Sequence, residues 1–356
     1  MSPNSGGAHC KLMHHLFFVE QSYSFSILKP LAVAARERGH EVTWYVLPGR
    51  DSHLIQNESV VRDLAEARRV ASDTVIAPGN WIPSGLSGLC VQIFHGFGLE
   101  KKGHFKIRGY FDLYCTPGPK ATAWYQEQAR KHGYFDVVET GWPKLDPYAS
   151  APKSQKPERD KITLLFAPTF SPSLSSAEEM LPVLKDLSSY EEYEISVKFH
   201  PLEKPEVIAA YKEAERPGLR VKAGNDVLEL ISRSDILISD TSSVVHEALW
   251  LGKPVITVRN SSPIEAIVDV KSAADVPSAI LQVRADFERH RGVAEKATAA
   301  MHPYKDGSSS MRVLDAIEMH HMKRPKRRKP FNLKGRFSAW RRLRRILNST
   351  AQNIGE

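Results

Sequence analysis

The stretch SDILISDTSSVVHEALWLGKPVITV, residues 234–258, decides the fold. Residues 236–238 are a short apolar run typical of a buried strand, and residues 255–258 are a second one. Between them, hydrophobic side chains recur at roughly helical spacing over residues 244–251, and Gly252 suits the position just after a helix. A strand–helix–strand unit of this kind predicts two parallel strands joined by a right-handed crossover.

The segment before this helix is rich in side-chain oxygens. Asp240, Thr241, Ser242 and Ser243 are residue types that cap the free N–H groups of a first helical turn. The amino end of a helix also attracts phosphate, because its unpaired N–H groups and the helix dipole both favour an anion. A purely structural cap explains the same residues equally well. The pattern alone therefore leaves a phosphate site and a structural cap both open.

Length and charge distribution indicate two domains and a distinct tail. The chain has 356 residues, a length typical of about two domains. Its net charge of +8 is unevenly spread, because residues 323–356 hold twelve Lys or Arg and one acid, Glu356. The remainder, with 37 bases (49 − 12) and 40 acids (41 − 1), has a net charge of −3. A basic tail on an acidic body predicts an anionic partner, either a membrane or a nucleic acid.

The rest of the chain alternates apolar runs with helical patterns, which predicts an α/β fold of two doubly wound domains facing a central cleft. We expect a first domain at residues 1–148, a polar linker at 149–161, a second domain at 162–322 and the basic tail at 323–356. Residues 60–70 are predicted to be helical. No spanning helix or signal peptide is predicted, and three cysteines without pairing or metal spacing indicate a reducing compartment.

Polar residues follow several predicted strands. His95 and His200 each come just after a strand, one in each half of the chain, and Thr169 is placed likewise. Open α/β sheets bind ligands at these strand ends. A hydrogen-bonded structural histidine is the alternative for each position taken alone. Next to His95, Gly96 permits close approach of a ligand and Lys101 and Lys102 could carry phosphate, although a solvated basic loop explains them as well.

Known metal and nucleotide motifs do not occur in the sequence. It has no P-loop, no GxSxG elbow, no HExxH and no Asp-rich cluster. We therefore expect neither a metal nor a cofactor, and we expect negative charge on a leaving group to be met by helix termini and histidine.

Six segments together resemble the CDP-glycerol glycerophosphotransferase family, the teichoic-acid primases and polymerases. They are HGFGLEKKG (95–103), ETGWPKLDPY (139–148), LLFAPTF (164–170), VKFHP (197–201), DILISDTSSVVHEAL (235–249) and YKDGSSSMRVLDAI (304–317). The resemblance implies a GT-B fold with the nucleotide held mainly by the second domain. It also implies transfer of a polyol phosphate, glycerol phosphate first of all, from a CDP-polyol to an acceptor hydroxyl of a lipid-linked or polymeric glycan, releasing CMP.

The resemblance also implies roles for individual residues. His95 matches the family's candidate general base, and His200 matches the histidine that meets the pyrophosphate. Phosphate contacts are implied for Thr169, Ser242 and Ser243, with Thr241 beside them. A ribose-holding carboxylate is implied at Glu247. Gly141, Pro143 and Asp146 match a structural hinge motif. Imidazole suits the base role, because its pKa is ordinarily about 6.5.

Two other functions stay open. The strand–helix–strand unit at residues 234–258, together with YKDGSSS (304–310), also resembles the UDP-N-acetylglucosamine 2-epimerases of GT-B fold. A UDP-sugar enzyme, either such an epimerase or a glycosyltransferase, is therefore the first alternative. The sequence departs from the transferase family at Phe97 and Gly98, where that family often has Thr and Pro. A non-enzymatic nucleotide- or RNA-binding module is the second alternative, and it has no need of a base at a strand end.

The sequence of the tail predicts a basic amphipathic helix. One face is predicted to carry Leu333, Phe337, Trp340, Leu343 and Leu347. Arg341, Arg342 and Arg345 fall mostly elsewhere on the helix, and this composition is typical of a helix lying in a membrane interface. The expected membrane contacts are Arg336, Phe337, Trp340, Arg341 and Arg345. We expect a cytoplasmic protein bound peripherally to the inner face of the membrane, with a nucleic-acid arm or a solubilising tail as alternatives. The two domains are expected to fold without the tail.

Overall fold

The structure is a computed structural model that describes residues 12–50, 55–96, 106–149, 161–224, 226–323 and 329–354. The chain divides into two compact units. The first comprises Met1–Ala149 with Tyr304–Glu356, and the second comprises Ser150–Pro303. Each unit contains one parallel sheet with helices, so the predicted α/β architecture of two doubly wound domains is confirmed.

The first unit has a seven-stranded parallel sheet of order β3-β2-β1-β4-β5-β6-β7. Its strands are β1 (His14–Val19), β2 (Glu41–Val46), β3 (Ser59–Val61), β4 (Thr74–Ala77), β5 (Leu89–Gln92), β6 (Leu113–Thr116) and β7 (Asp136–Glu139). The helices between them are α1 (Ser24–Glu37), α2 (Leu64–Arg69), α3 (Pro119–His132) and a 3₁₀ helix (Pro143–Tyr148). Strand order reverses between β1 and β4, the position where open α/β sheets bind ligands.

The second unit has a six-stranded parallel sheet of order β10-β9-β8-β11-β12-β13, which reverses between β8 and β11. Its strands are β8 (Ile162–Phe166), β9 (Tyr193–Val197), β10 (Leu219–Val221), β11 (Ile236–Ser239), β12 (Val255–Val258) and β13 (Ile267–Val270). Its helices are α4 (Ala177–Leu187), α5 (Pro205–Glu213), α6 (Val227–Arg233), α7 (Val244–Trp250), a 3₁₀ helix (Ala273–Asp275), α8 (Val276–Ala285) and α9 (Phe287–Ala297).

The strand–helix–strand unit predicted from residues 234–258 is confirmed. β11 and β12 are parallel neighbours, with Leu237 opposite Val255, and both strands are buried throughout. Continuous apolar strands of this kind are typical of parallel sheets covered on both faces. The predicted side-chain cap is wrong at Ser243, which precedes α7 without a capping hydrogen bond. Its backbone is already helical, whereas a capping side chain acts from an extended residue.

The C-terminal segment belongs to the first unit, unlike its predicted place in a second domain at 162–322. From Tyr304 onward the chain clusters with residues 1–149. Helix α10 (Ser309–Lys323) begins where Asp146 accepts hydrogen bonds from the N–H groups of Ser309 and Ser310, at 2.9 and 2.6 Å. Asp146 is thus a structural residue that anchors the returning chain. Most of the predicted linker, 150–160, lies outside the described residues.

The basic tail contains helix α11 (Leu333–Ile354), but it is not a separate element. Leu343 is only 6% exposed and packs with Ala339 into the hydrophobic core of the first unit. The expectation that Leu343 shares an exposed face with Phe337 and Trp340 is therefore wrong, since the helix turns that residue inward. None of the helices that the structure describes is long and apolar enough to cross a membrane.

Candidate active site

A buried carboxylate joins two loops at the strand reversal of the second unit. Asp240 follows β11, is completely buried, and accepts a hydrogen bond from the Thr169 N–H at 2.8 Å through Oδ1. Its Oδ2 accepts from the N–H and hydroxyl of Ser176, at 3.1 and 3.2 Å. Burial raises the pKa of the Asp240 carboxyl to about 6, although these hydrogen bonds oppose the shift. Asp240 thereby fixes the position of Thr169, a predicted phosphate contact.

His200 lies on the loop after β9 and is exposed. Its Nδ1 accepts a hydrogen bond from the Leu202 N–H at 3.1 Å. In a neutral ring whose Nδ1 accepts, the proton must be on Nε2. The ring of Phe170 stacks on this imidazole, with centroids 4.3 Å apart. His200 is therefore held as an N–H donor beside the Thr169 loop, which suits contact with an anionic oxygen.

The predicted serines lie on the same carboxyl edge of this sheet. Ser242 and Ser243 are half-buried between β11 and α7, and the Ser242 N–H bonds to the Asp240 carbonyl at 3.0 Å. Thr241 Oγ1 accepts from the Ser261 N–H at 2.9 Å, so this side chain holds the next loop. Glu247 is 5% exposed within α7. The ribose contact expected of Glu247 stays a prediction.

A cavity of about 300 Å³ lies beside Phe170, whose ring stacks on His200. Its wall includes Phe170, Glu203, Lys204 and Arg259. Glu203 is 9% exposed, and its N–H bonds to the His200 carbonyl at 2.9 Å. One carboxylate oxygen accepts from the Lys204 N–H at 3.0 Å, whereas Oε2 is shielded from solvent with no partner among the described residues. A buried acceptor without a donor is costly, so a ligand that brings a hydroxyl would find a partner here.

His95 occupies the corresponding edge of the first unit. It is half-buried beyond the end of β5, and its Nδ1 lies 3.2 Å from the carbonyl oxygen of Pro78. A carbonyl can only accept, so Nδ1 carries the proton and Nε2 has the lone pair when the ring is neutral. Tyr23 stacks on the ring, with centroids 5.6 Å apart. This is the tautomer that a general base requires at Nε2.

The remaining predicted contacts around His95 are only partly described. Gly96 lies beside it and is half-buried. Lys101 and Lys102 lie outside the described residues, so their predicted role stays a prediction. In the described part of the chain, no group of three or more His, Cys, Asp or Glu side chains could hold a metal ion. The expectation that no metal or cofactor takes part is not tested by this observation.

Several residues at the edge of the second unit do not stand out in the sequence. The pattern leaves Asp240 open as a helix cap or as part of a phosphate site, and it does not single out Phe170 or Glu203. Lys198, two residues before His200, donates to the Phe199 carbonyl at 2.9 Å, and burial lowers its pKa. Its place in the VKFHP segment could have drawn attention to it. Glu203 offered no comparable signal, because its significance lies in burial.

Several known proteins resemble this chain in sequence or in fold. The family model described as UDP-N-acetylglucosamine 2-epimerase matches residues 147–318. The teichoic acid glycerol-phosphate primase of Bacillus subtilis (strain 168) is 24% identical over 316 residues, which cover 76% of this chain and 80% of the primase. The primase match extends across both units, whereas the epimerase family model covers less than half of the chain.

Solved structures share the fold at low sequence identity. A putative UDP-N-acetylglucosamine 2-epimerase from Listeria monocytogenes is 15% identical with a TM-score of 0.62, covering 90% of this chain and 99% of the epimerase. A variant of the wall teichoic acid polymerase TagF soaked with CDPG is also 15% identical, with a TM-score of 0.61, covering 89% of this chain and 91% of the polymerase. These likenesses confirm a GT-B-type fold, and the primase match supports the resemblance of the chain to the CDP-glycerol glycerophosphotransferase family.

Proposed function

We propose that the protein transfers glycerol phosphate from CDP-glycerol to an acceptor hydroxyl of a cell-surface polymer or lipid-linked glycan. The observation that carries the proposal is that His95 and His200 are held in opposite tautomers. The Pro78 carbonyl holds His95 as an acceptor at Nε2, whereas the Leu202 N–H holds His200 as a donor at Nε2. Acceptor activation and leaving-group stabilisation need these two complementary states.

In the proposed reaction, the acceptor oxygen attacks the phosphorus atom that bears glycerol. A new P–O bond forms as the bond from that phosphorus to the bridging oxygen of CDP breaks, and CMP leaves. The acceptor's proton passes to Nε2 of His95. His200, Thr169 and the Ser242–Ser243 segment meet the negative charge of the diphosphate as it moves to CMP. The CDP-polyol is a substrate in this scheme, and no cofactor takes part.

The glycerol moiety belongs, in this proposal, in the cavity lined by Phe170 and Glu203. Glu203 supplies a buried acceptor for a polyol hydroxyl, and its hydrogen bond to the His200 carbonyl keeps it next to the phosphate contacts. Lys204 and Arg259 line the cavity together with Glu178 and Glu179, and Arg259 pairs with Glu179. Glu247 is proposed to hold the ribose. We further propose that the acceptor is presented at the cytoplasmic face of the membrane.

A UDP-sugar enzyme is the second candidate, because the epimerase family model matches residues 147–318. A nucleotide-binding titration separates the two functions. CDP-glycerol, CDP-ribitol and UDP-N-acetylglucosamine are compared with the whole protein, using calorimetry. The proposal expects the CDP-polyols to bind more tightly than the UDP-sugar, with CDP-glycerol the tightest. Preference for the UDP-sugar would replace the proposal with the second candidate.

A further inference from the structure

Helix α11 is built into the first unit through one face. Ala339 and Leu343 are 2% and 6% exposed and join the same core cluster as Trp81 and Tyr110. Burial of the leucine side chain removes its apolar surface from water and so stabilises the packed state. The inward face therefore attaches the helix to the sheet at a defined rotation about its axis.

Polar contacts fix the start of this helix as well. The Tyr110 hydroxyl donates to the Gly335 carbonyl at 2.6 Å. Lys329 donates to the Tyr110 carbonyl at 3.0 Å and lies 2.8 Å from an Asp112 oxygen, while Asn332 donates to the Arg108 carbonyl. Contacts on both the helix and the preceding segment leave little freedom for the tail to swing as a loose arm.

The outward face presents large apolar side chains to solvent. Four on the helix are between 41% and 65% exposed, Leu333, Phe337, Trp340 and Leu347, and Phe331 just before the helix is 74% exposed. The rings of Phe337 and Trp340 stack, with centroids 5.8 Å apart. Arg341 lies over the Phe337 ring at 5.9 Å, and Arg344 lies over the Trp340 ring at 5.3 Å. Exposed aromatic and aliphatic groups interleaved with arginine are typical of a helix that enters the headgroup boundary of a bilayer.

Charge favours an anionic bilayer as the occupant of this face. Residues 323–356 carry twelve of the 49 Lys and Arg residues, whereas the rest of the chain is slightly acidic. Each basic residue near an anionic leaflet is attracted by the negative surface potential of the leaflet. Leu333 and Leu347 have no π face on which a nucleic-acid base could stack, but both suit an acyl boundary. A bilayer therefore accounts for the apolar side chains as well as for the charge.

The same helix reaches the edge of the sheet that bears His95. Arg342 Nε donates to Glu20 Oε1 at 2.7 Å, and its guanidinium lies 5.1 Å from the centre of the Trp81 ring. Glu20 directly follows β1 and is 4% exposed, and Trp81 follows β4. These are the two strands between which the sheet reverses its order, and Pro78, the partner of His95, also follows β4.

We propose that the outward face of α11 docks on an anionic bilayer, and that the Arg342–Glu20 contact holds the His95 edge in a fixed position relative to that bilayer. A lipid-linked acceptor would then be presented to His95 from the surface on which the helix lies. Docking of the helix is independent of the proposed transferase function, whereas presentation of the acceptor to His95 rests on that function.

Vesicle co-sedimentation with the whole protein tests the docking. Phe337→Ser with Trp340→Ser should leave the thermal midpoint unchanged, since both side chains are exposed, and should weaken binding to phosphatidylglycerol-containing vesicles about ten-fold or more. Leu281→Ser with Tyr190→Ser is the matched control, since these are 58% and 55% exposed on the other unit. The control should bind as the original protein does. Equal binding by all three proteins, equal binding to neutral vesicles, or loss of vesicle binding to competing RNA would each overturn the docking.

Arg342→Gln tests the coupling to the His95 edge. The variant should still bind vesicles, because eleven basic residues remain in 323–356. Its turnover on a lipid-linked acceptor in vesicles should fall about ten-fold, with turnover on a soluble acceptor little changed. Equal effects on both acceptors would overturn the coupling. Absence of turnover in the unaltered protein would count against the proposed function instead, while the vesicle-binding result would stand.

Discussion

The Nδ1 atom of His95 lies 3.2 Å from the carbonyl oxygen of Pro78, and this contact sets the chemistry of the ring. Because a carbonyl cannot donate, the contact protonates Nδ1 and leaves Nε2 as the basic atom of the neutral ring. His200 has the reverse arrangement, because its Nδ1 accepts from the Leu202 N–H. The proposed base and the proposed phosphate contact are thus distinguished by backbone geometry.

His95→Gln should abolish transfer and leave donor binding nearly intact. The amide keeps much of the ring's size but cannot take a proton, and loss of a general base typically costs about 100- to 10,000-fold in rate. The measurement is acceptor-dependent CMP release alongside calorimetric donor affinity. His132→Gln, on the exposed end of α3, is the control and should retain full activity. A His95→Gln protein with normal CMP release would contradict the assigned role.

Asp240 should make stability depend on pH in a predictable direction. Burial raises its pKa in the folded protein from 3.8 to about 6, so the folded state binds this proton more tightly than the unfolded chain does. Its contribution therefore favours folding below about pH 4 and is lost as the pH rises to about 6, a change of about 3 kcal/mol.

Asp240→Asn removes this titration. The thermal midpoint of the original protein minus that of the variant should decrease between pH 4 and pH 6 and stay level above that range. Asp286→Asn, at an exposed carboxylate paired with Arg289, is the control and should show no such decrease. A difference for Asp240→Asn that stays constant across the whole range would show that the carboxyl does not titrate there.

Glu203→Ala should separate recognition of the polyol from recognition of the nucleotide. A hydrogen bond to a charged group is worth about 1.5–3 kcal/mol, so the affinity for CDP-glycerol should fall about ten-fold or more. The affinity for CDP, which has no polyol, should change little. Glu206→Ala, on the exposed first turn of α5, is the control and should alter neither affinity. Equal weakening of both ligands by Glu203→Ala would place the polyol elsewhere.

Two leucines of α11 should differ sharply in their effect on stability. Leu343→Ala opens a cavity in the first unit's core and should reduce the free energy of unfolding by about 2–5 kcal/mol. Leu347→Ala, at a side chain 41% exposed, should change it by no more than about 0.5 kcal/mol. Urea unfolding of both variants gives the comparison. Similar midpoints for the two would mean that the tail does not contribute to the core.

These leucines also show what the sequence could predict. The alternation of apolar strands with helical patterns was sufficient to predict two parallel-sheet domains, because strands covered on both faces are apolar throughout. Helical spacing placed Leu343 and Leu347 on one face and could not tell which of them packs inward. That distinction depends on the sheet surface the helix meets, which lies far away in the sequence.

Local sequence patterns also mislead where a capping residue begins a new helix inside an apparently continuous helical pattern. The pattern of residues 60–70 predicts one helix, but the structure has strand β3 and then α2, which begins after Asp63 caps the N–H groups of Ala65 and Glu66. At the site, the positions of His95 and His200 at strand ends were predicted correctly. Their tautomers and the role of Asp240 depend on hydrogen bonds between distant segments, which no local pattern encodes.

Acceptor-dependent release of CMP from CDP-glycerol tests the central claim most directly. The whole protein is incubated with CDP-glycerol and a lipid-linked glycan acceptor in anionic vesicles, and CMP is measured together with the phosphorylated acceptor. The proposed function predicts the two products in equal amounts, with little CMP when acceptor is omitted and none with His95→Gln. Failure to form either product from CDP-glycerol, accompanied by conversion of a UDP-sugar, would contradict the claim.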